Sequence, residues 1–267
     1  MKILIPILLF TGLGLLAGVL LTIASRVFAV KTDPRQAQIT DALPGANCGG
    51  CGFAGCADYA AAVAAGTAAE NLCRPGGKAV AEKIGAILGI EVEESEPLTM
   101  AVHCRGDCNS VRRFYDGSEF QSCAEAKSFY GGSNMCSFGC LGLGDCMAVC
   151  DEGAICITEG VAAVNPVKCV ACGKCAKVCP NHLLSLQPKQ RRVMIACSSA
   201  ENGRLTQQAC HHGCIACRLC MKKCPRGAIS FDQFHAVIDY EKCVGCGLCT
   251  KVCPTGAAHL IPKPAKK

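Results

Sequence analysis

The chain opens on an almost unbroken apolar run. From Ile3 to Val30 the one charge is Arg26, and Leu4 to Ala24 is 21 residues without any. A helix of that length crosses the hydrocarbon core of a bilayer. Pro6, Gly12, Gly14 and Gly18 are tolerated in such a helix. The run predicts an uncleaved transmembrane anchor over 1–30. The rival is a cleaved signal peptide, with Lys2 as its charge and Val27-Phe28-Ala29 as its cleavage site. The stretch is longer than a usual signal core, and secretion would export thiols meant for reducing surroundings. Arg26, Lys31 and Arg35 follow the helix against Lys2 before it, so the bulk of the chain is expected on the cytoplasmic side of the cytoplasmic membrane. Beyond the anchor the patterns are shorter. Ala57 to Glu70 is alanine-rich and predicts a helix. Lys78 to Leu88 predicts another, with Ile84, Ile87 and Leu88 on one face. Glu91 to Pro97 is acidic, ends in proline and reads as a linker. Val161 to Val164 and Ala236 to Ile238 suit hairpin strands.

The polar chemistry lies in 26 cysteines. Cys243, Cys246, Cys249 and Cys253 precede Pro254. The run recurs at Cys214, Cys217, Cys220, Cys224, Pro225 and at Cys169, Cys172, Cys175, Cys179, Pro180. This is C-x2-C-x2-C-x3-C-P, in which three thiolates hold one [4Fe–4S] cube and the fourth crosses to the neighbouring cube. A disulfide framework belongs to short secreted chains. A zinc ribbon takes two ligands from each of two separated knuckles, not three adjacent ones. A further set, Cys48, Cys51, Cys56 and Cys73, lies in and after a glycine-rich loop, Asn47-Cys48-Gly49-Gly50-Cys51-Gly52. Its glycines permit positive φ and close approach of backbone N–H groups to cluster sulfides. A zinc knuckle is the alternative there.

The second half repeats itself. Adding 74 to the numbers of Cys123, Cys136, Cys140, Cys146, Cys150, Cys169, Cys172, Cys175 and Cys179 gives a cysteine each time, and Gly153-Ala154-Ile155 maps onto Gly227-Ala228-Ile229. The fold expected is α+β: the anchor, a small α-rich [4Fe–4S] domain over 38–90, and two ferredoxin-like modules over 98–190 and 191–262. Leu143 stands where Cys217 stands in the second repeat, so one ligand is missing. Cys136 is the expected replacement. The crossover rule then groups Cys136, Cys140, Cys146 and Cys179; Cys150, Cys169, Cys172 and Cys175; Cys214, Cys217, Cys220 and Cys253; and Cys224, Cys243, Cys246 and Cys249. With the N-terminal set this makes about five cubes. Cys156, Cys197 and Cys210 are expected as buried thiols. Cys104, Cys108 and Cys123 are candidates for an extra metal site without an identifiable fourth ligand. His103, His211 and His212 are read as surface or supporting residues rather than ligands.

Tryptophan is absent and aromatics are 5% of residues, so metal ligation must replace part of the core. The formal net charge of +6 would suggest nucleic acid. Each cube with four thiolates nets 2−, so five of them bring the loaded chain to about −4 and remove that reading. No G-x-G-x-x-G loop follows a strand, so neither flavin nor NAD is expected on this chain.

These features together resemble the RnfB family, the iron–sulfur component of the Rnf complex, a membrane-bound ferredoxin:NAD oxidoreductase also called Rsx. The resemblance rests on the N-terminal apolar helix, the Asn47–Gly52 motif with Gly55-Cys56, Cys73-Arg74-Pro75-Gly76-Gly77, and Gly139-Cys140-Leu141-Gly142-Leu143-Gly144-Asp145-Cys146 leading into the ferredoxin runs. It implies an electron-transfer component of a redox-driven translocase. Such a component accepts electrons from soluble reduced ferredoxin and passes them to membrane subunits that carry flavins, reduce NAD and pump Na+ or H+. The second repeat departs from the short form of that family, and Asp151 replaces the proline expected after Cys150. The competing readings are an anchored polyferredoxin of a hydrogenase or dehydrogenase, and a redox sensor or metal store.

Overall fold

A computed structural model describes residues 4–27, 33–92 and 96–261, with side chains of the first helix described from Phe10 to Ala24. That helix, α1 (Leu4–Val27), leaves Phe10, Leu13, Leu15, Leu16, Val19, Leu20, Leu21 and Ile23 exposed. Among the described residues no helix is long and apolar enough to cross a membrane. Residues 1–3 and 28–30 of the expected anchor lie outside the described residues.

The N-terminal unit packs three helices, α2 (Pro34–Ala42), α3 (Cys56–Ala64) and α4 (Gly77–Leu88). Asp33 caps α2, accepting the Arg35 N–H at 2.9 Å, and Pro34 occupies the first turn, where its missing N–H removes no helical bond. Ile39, Tyr59, Val63 and Ile84 form the core, with Cys51, Cys56 and Cys73 packed on it. The helix expected over Ala57–Glu70 stops at Ala64. Gly66 turns the chain at φ 71°, and the Tyr59 hydroxyl donates to the Ala69 carbonyl, holding the exit.

Two modules follow. The first comprises β1 (Leu98–Val102), α5 (Cys123–Ser128), α6 (Asp145–Ala148), β2 (Ile155–Thr158), β3 (Val161–Val164), α7 (Lys174–Val178) and β4 (Leu184–Pro188). The second comprises β5 (Val193–Ile195), α8 (Gly203–Ala209), α9 (Leu219–Lys223), β6 (Ile229–Asp232), β7 (His235–Ile238), α10 (Leu248–Lys251) and β8 (Ala258–Leu260). Each has a hairpin, β2–β3 or β6–β7, and a closing antiparallel pair, β1–β4 or β5–β8. Helices and short antiparallel strands thus mix as an α+β chain should. Ala101 of β1, with Met194 and Ala196 at β5, forms a small core that joins the modules.

The strand register corrects the repeat. His103 N–H donates to the Leu183 carbonyl, and Ala196 N–H donates to the Ala257 carbonyl. Leu183 and Ala257 are 74 apart in sequence, so His103 is the counterpart of Ala196, and Cys104 that of Cys197. The constant offset instead pairs Cys197 with Cys123. The first module inserts extra chain between Cys104 and Cys140, and that insertion carries Cys108 and Cys123.

Candidate metal centres

Four apolar cavities in the two modules are each lined by cysteines from separate elements. One is lined by Cys214, Cys217, Cys220 and Cys253. A second is lined by Cys224, Cys243, Cys246 and Cys249. A third holds Cys150, Cys169, Cys172 and Cys175. In each case the last cysteine of one run crosses to the other run's site, as a two-cube ferredoxin requires. The fourth cavity is lined by Cys123, Cys140, Cys146 and Cys179. Cys136, the expected replacement for the ligand absent at Leu143, does not line it.

Asp145 places Cys123. Its carboxylate accepts the N–H groups of Cys123 at 2.8 Å and Ala124 at 3.1 Å, which fixes the start of α5 against the cavity. The only sequence signal is an acid in Gly144-Asp145-Cys146, and its use depends on a segment 22 residues away.

The local geometry follows from short helices. The third cysteine of each run, Cys146, Cys175, Cys220 or Cys249, is the second residue of α6, α7, α9 or α10 and is buried. The residue preceding each helix is left-handed: Gly144, Gly173 and Gly247 take this conformation, and Arg218 takes it at φ 58°. A non-glycine residue there costs about 1–2 kcal/mol. The guanidinium of Arg218 lies 5.6 Å from the Phe231 ring centre, a cation–π contact that offsets part of that cost. The crossover sulfurs accept backbone N–H bonds: Cys150 from Ala154 at 3.3 Å, and Cys179, Cys224 and Cys253 from Leu183, Ala228 and Ala258 at 3.4 Å. Cys169 accepts from Met100 at 3.4 Å. Such bonds favour the thiolate and tune cluster potential.

Three of the helix-borne thiols, Cys146, Cys175 and Cys220, by themselves resist ionisation. Burial, then the thiolates of Cys140, Cys123 and Cys179, push Cys146 up to about 12. Burial and their neighbours push Cys175 and Cys220 up to about 11. Gathering four thiolates therefore requires a bound cation, which cluster iron supplies. Among the described residues no three cysteine, histidine or carboxylate side chains converge as tightly as a single metal ion requires. A cube, wider than an ion, accepts more widely spaced sulfurs.

In the N-terminal unit Cys73 feels the charges of Cys56, Cys48 and Cys51, after burial as the main cause of its raised pKa. Asn47 Oδ1 accepts the Cys56 N–H at 2.8 Å and clips the loop shut. The unit docks on the first module: Lys177 Nζ donates to the Cys48 carbonyl at 3.4 Å, and Cys48 lines the same cavity as Cys150, Cys169, Cys172 and Cys175. A Cβ on Gly50 would stand 2.9 Å from the Cys172 carbonyl oxygen, so this approach needs glycine. On the cavity's rim Asp151, in the place of the usual proline, pairs with Lys174 at 2.6 Å.

The remaining candidates scatter. Cys156, expected in the core, is exposed on β2, and Cys108 is exposed in the insertion. Both ring nitrogens of His103 are engaged, by Ser185 Oγ at 2.6 Å and the Ile195 carbonyl at 3.3 Å. His212 Nδ1 meets the Thr255 carbonyl at 3.1 Å, and His211 is exposed. None of the three joins a cysteine cavity. Cys104, Cys136, Cys197 and Cys210 lie together outside the five sets.

Three family models match the chain: a putative Fe–S cluster over residues 43–75, a 4Fe–4S binding domain over 162–185 and a 4Fe–4S dicluster domain over 213–257. The B component of the Na(+)-translocating ferredoxin:NAD(+) oxidoreductase complex of Acetobacterium woodii is 42% identical, over 90% of this chain and 72% of that protein. The B component of the ion-translocating oxidoreductase complex of Methanosarcina acetivorans is also 42% identical, over 86% of this chain and 88% of that one. The chain belongs to the RnfB family. Its cofactors are multiple [4Fe–4S] clusters. A 36% identical relative in Clostridium ljungdahlii is named proton-translocating where that of A. woodii is named Na(+)-translocating, so membership of this family does not fix the ion. Shorter matches, such as 42% identity to the corresponding component in Klebsiella pneumoniae, cover 36% of the chain.

Proposed function

We propose that this chain is the iron–sulfur relay of a membrane-bound, ion-translocating ferredoxin:NAD oxidoreductase. The observation that carries the reading is the linkage of the cysteine sets within each module and from the first module to the N-terminal unit. Cys48, Cys51, Cys56 and Cys73 abut Cys150, Cys169, Cys172 and Cys175 across the Gly50–Cys172 contact. The crossover of Cys150 and Cys179 joins these to Cys123, Cys140 and Cys146. The crossover of Cys224 and Cys253 joins the two sets of the second module. The cubes held there supply one-electron chemistry at low potential. The residues do the rest: thiolates hold, N–H groups tune, and apolar walls exclude water. The chain itself performs no other chemistry.

The donor is soluble ferredoxin, docking on the second module. Cys217 and Cys246 are exposed there, beside exposed Arg218, Lys222, Lys223, Arg226 and Lys251. A small ferredoxin, whose cubes each net 2−, is drawn to such a surface. The N-terminal set hands electrons to the membrane subunits. The membrane is reached through α1, whose large apolar side chains from Phe10 to Ile23 are exposed, with the cluster domains on the cytoplasmic side. In the assembled complex, Cys51→Ala should leave the second-module clusters reducible by ferredoxin while stopping NAD reduction. Loss of ferredoxin reduction at every cluster would place entry at the N-terminal unit and reverse the order. Failure of reduced ferredoxin to reduce the wild-type chain at all would remove the relay reading.

A further inference from the structure

Cys104, Cys136, Cys197 and Cys210 come from four segments: the turn after β1, the approach to Cys140, the end of β5 and the end of α8. Cys136, Cys197 and Cys210 are buried, and Cys104 is half-buried. A methyl group built on Gly106 would lie 3.3 Å from the Cys210 sulfur and 3.7 Å from the Cys104 sulfur. Cys136 lies within electrostatic reach of Cys104, Cys197 and Cys210. Val111 and Cys210 pair as a short antiparallel bridge, which ties the insertion of the first module to α8 of the second.

The arrangement has an internal two-fold. Cys104 and Cys197 hold the same place in the closing sheets of the two modules, as the Leu183 and Ala257 bonds establish. Cys136 and Cys210 each stand four residues before the first cysteine of a ferredoxin run. The Cys104 sulfur accepts the N–H of Cys140 at 3.3 Å, and Cys214, the residue equivalent to Cys140, lies within electrostatic reach of Cys197. The Cys104 sulfur accepts a second backbone N–H, from Gly106 at 3.4 Å. Four sulfurs gathered in a buried place are a soft donor set of the kind that iron–sulfur clusters take. Cys104 thereby joins five other cysteine sulfurs that accept a backbone N–H at 3.4 Å or less, Cys150, Cys169, Cys179, Cys224 and Cys253, and those five all line the cavities described above.

We propose that Cys104, Cys136, Cys197 and Cys210 hold a sixth [4Fe–4S] cube at the junction of the two modules. The position gives it a purpose. The site lies one hydrogen bond from Cys140 on one side and within electrostatic reach of Cys214 on the other, and these line the cavities of the first and second modules. It fills the one break in the run of cysteine sets from the second module to the N-terminal unit. A cube there would take one electron from one neighbour and return it to the other, with no bond broken and no proton moved. One zinc would draw the four sulfurs to about 3.8 Å from each other, a convergence found at no group among the described residues.

The test is metal content of the full chain, purified anaerobically, as wild type, Cys136→Ser, Cys210→Ser and the double variant, with Cys156→Ser as an exposed control. Six cubes give about 24 irons and as many sulfides. Each single variant should fall to about 20, and the double should fall no further, because both residues serve one cube. An unchanged Cys210→Ser, or a double variant at about 16, would overturn the site. So would about 20 irons with one zinc per wild-type chain, a readout that stands even if the variants misfold.

Discussion

Replacing Cys123 separates two ligand sets that differ by one residue. The cavity over α6 is lined by Cys123, Cys140, Cys146 and Cys179, whereas the sequence alone suggests Cys136 in place of Cys123. Cys123→Ser leaves three thiolates on that cube. The neighbourhood offers no rescue. Two bonds from the Asp145 carboxylate, at 2.8 and 3.1 Å, hold the start of α5 in place. At about 1.5–3 kcal/mol for each hydrogen bond to a charged group, and less because Ala124 is exposed, swinging that start aside costs a few kcal/mol. Cys136 is buried within electrostatic reach of Cys104 and Cys210 and does not line the cavity. The variant should therefore lose one cube, about four irons. The assay is iron and sulfide per chain in Cys123→Ser, Cys136→Ser and Cys179→Ser, and in Cys179→Ser combined with each of the others. Cys179 belongs to this cube under either ligand set, so residues that share it give losses that do not add. The Cys123/Cys179 pair should lose about four irons and the Cys136/Cys179 pair about eight. The reverse pattern would refute the assignment.

Gly50→Ala should part the N-terminal unit from the first module, because its Cβ would meet the Cys172 carbonyl oxygen at 2.9 Å. Iron content should hold while electron passage between the two slows; an unchanged rate would show that the contact is dispensable. Cluster retention against a chelator should keep rising with pH beyond 9. Buried thiols such as Cys146 and Cys104, pushed from 9.0 up to about 12, stay protonated and compete with iron until then, whereas solvated thiols would level off near 9. A plateau at about pH 9 would contradict the burial argument. Deleting residues 1–30 should move the chain, expressed alone, from the membrane fraction to the supernatant, and continued sedimentation with membranes would exclude α1 as the anchor.

Ligand spacing is legible in the sequence because it is local. Three cysteines two residues apart wrap one face of a cube wherever the rest of the chain goes, so the runs from Cys169, Cys214 and Cys243 can be read directly. The strand Val161–Val164 and the helix ending at Leu88 are legible for the same reason. Cys123 is not, because its role depends on an insertion whose length the repeat offset conceals. Pairing Cys123 with Cys197 by number matches two residues that occupy different places, and only the β1–β4 and β5–β8 registers reveal that Cys104 is the counterpart of Cys197. Cys156 reads as core in a strand this apolar, yet it alternates with inward-facing Ile155 on a two-residue period and so faces out. The junction site eludes the sequence because its four cysteines have no common spacing and meet only through the packing of one module on the other.

Whether the chain carries electrons on many cubes at once is decided by an anaerobic coulometric titration of the full purified protein, which counts them. With each [4Fe–4S] cube accepting one electron, uptake should reach about six electrons per chain at low potential. An uptake of no more than about two electrons per chain would contradict the relay.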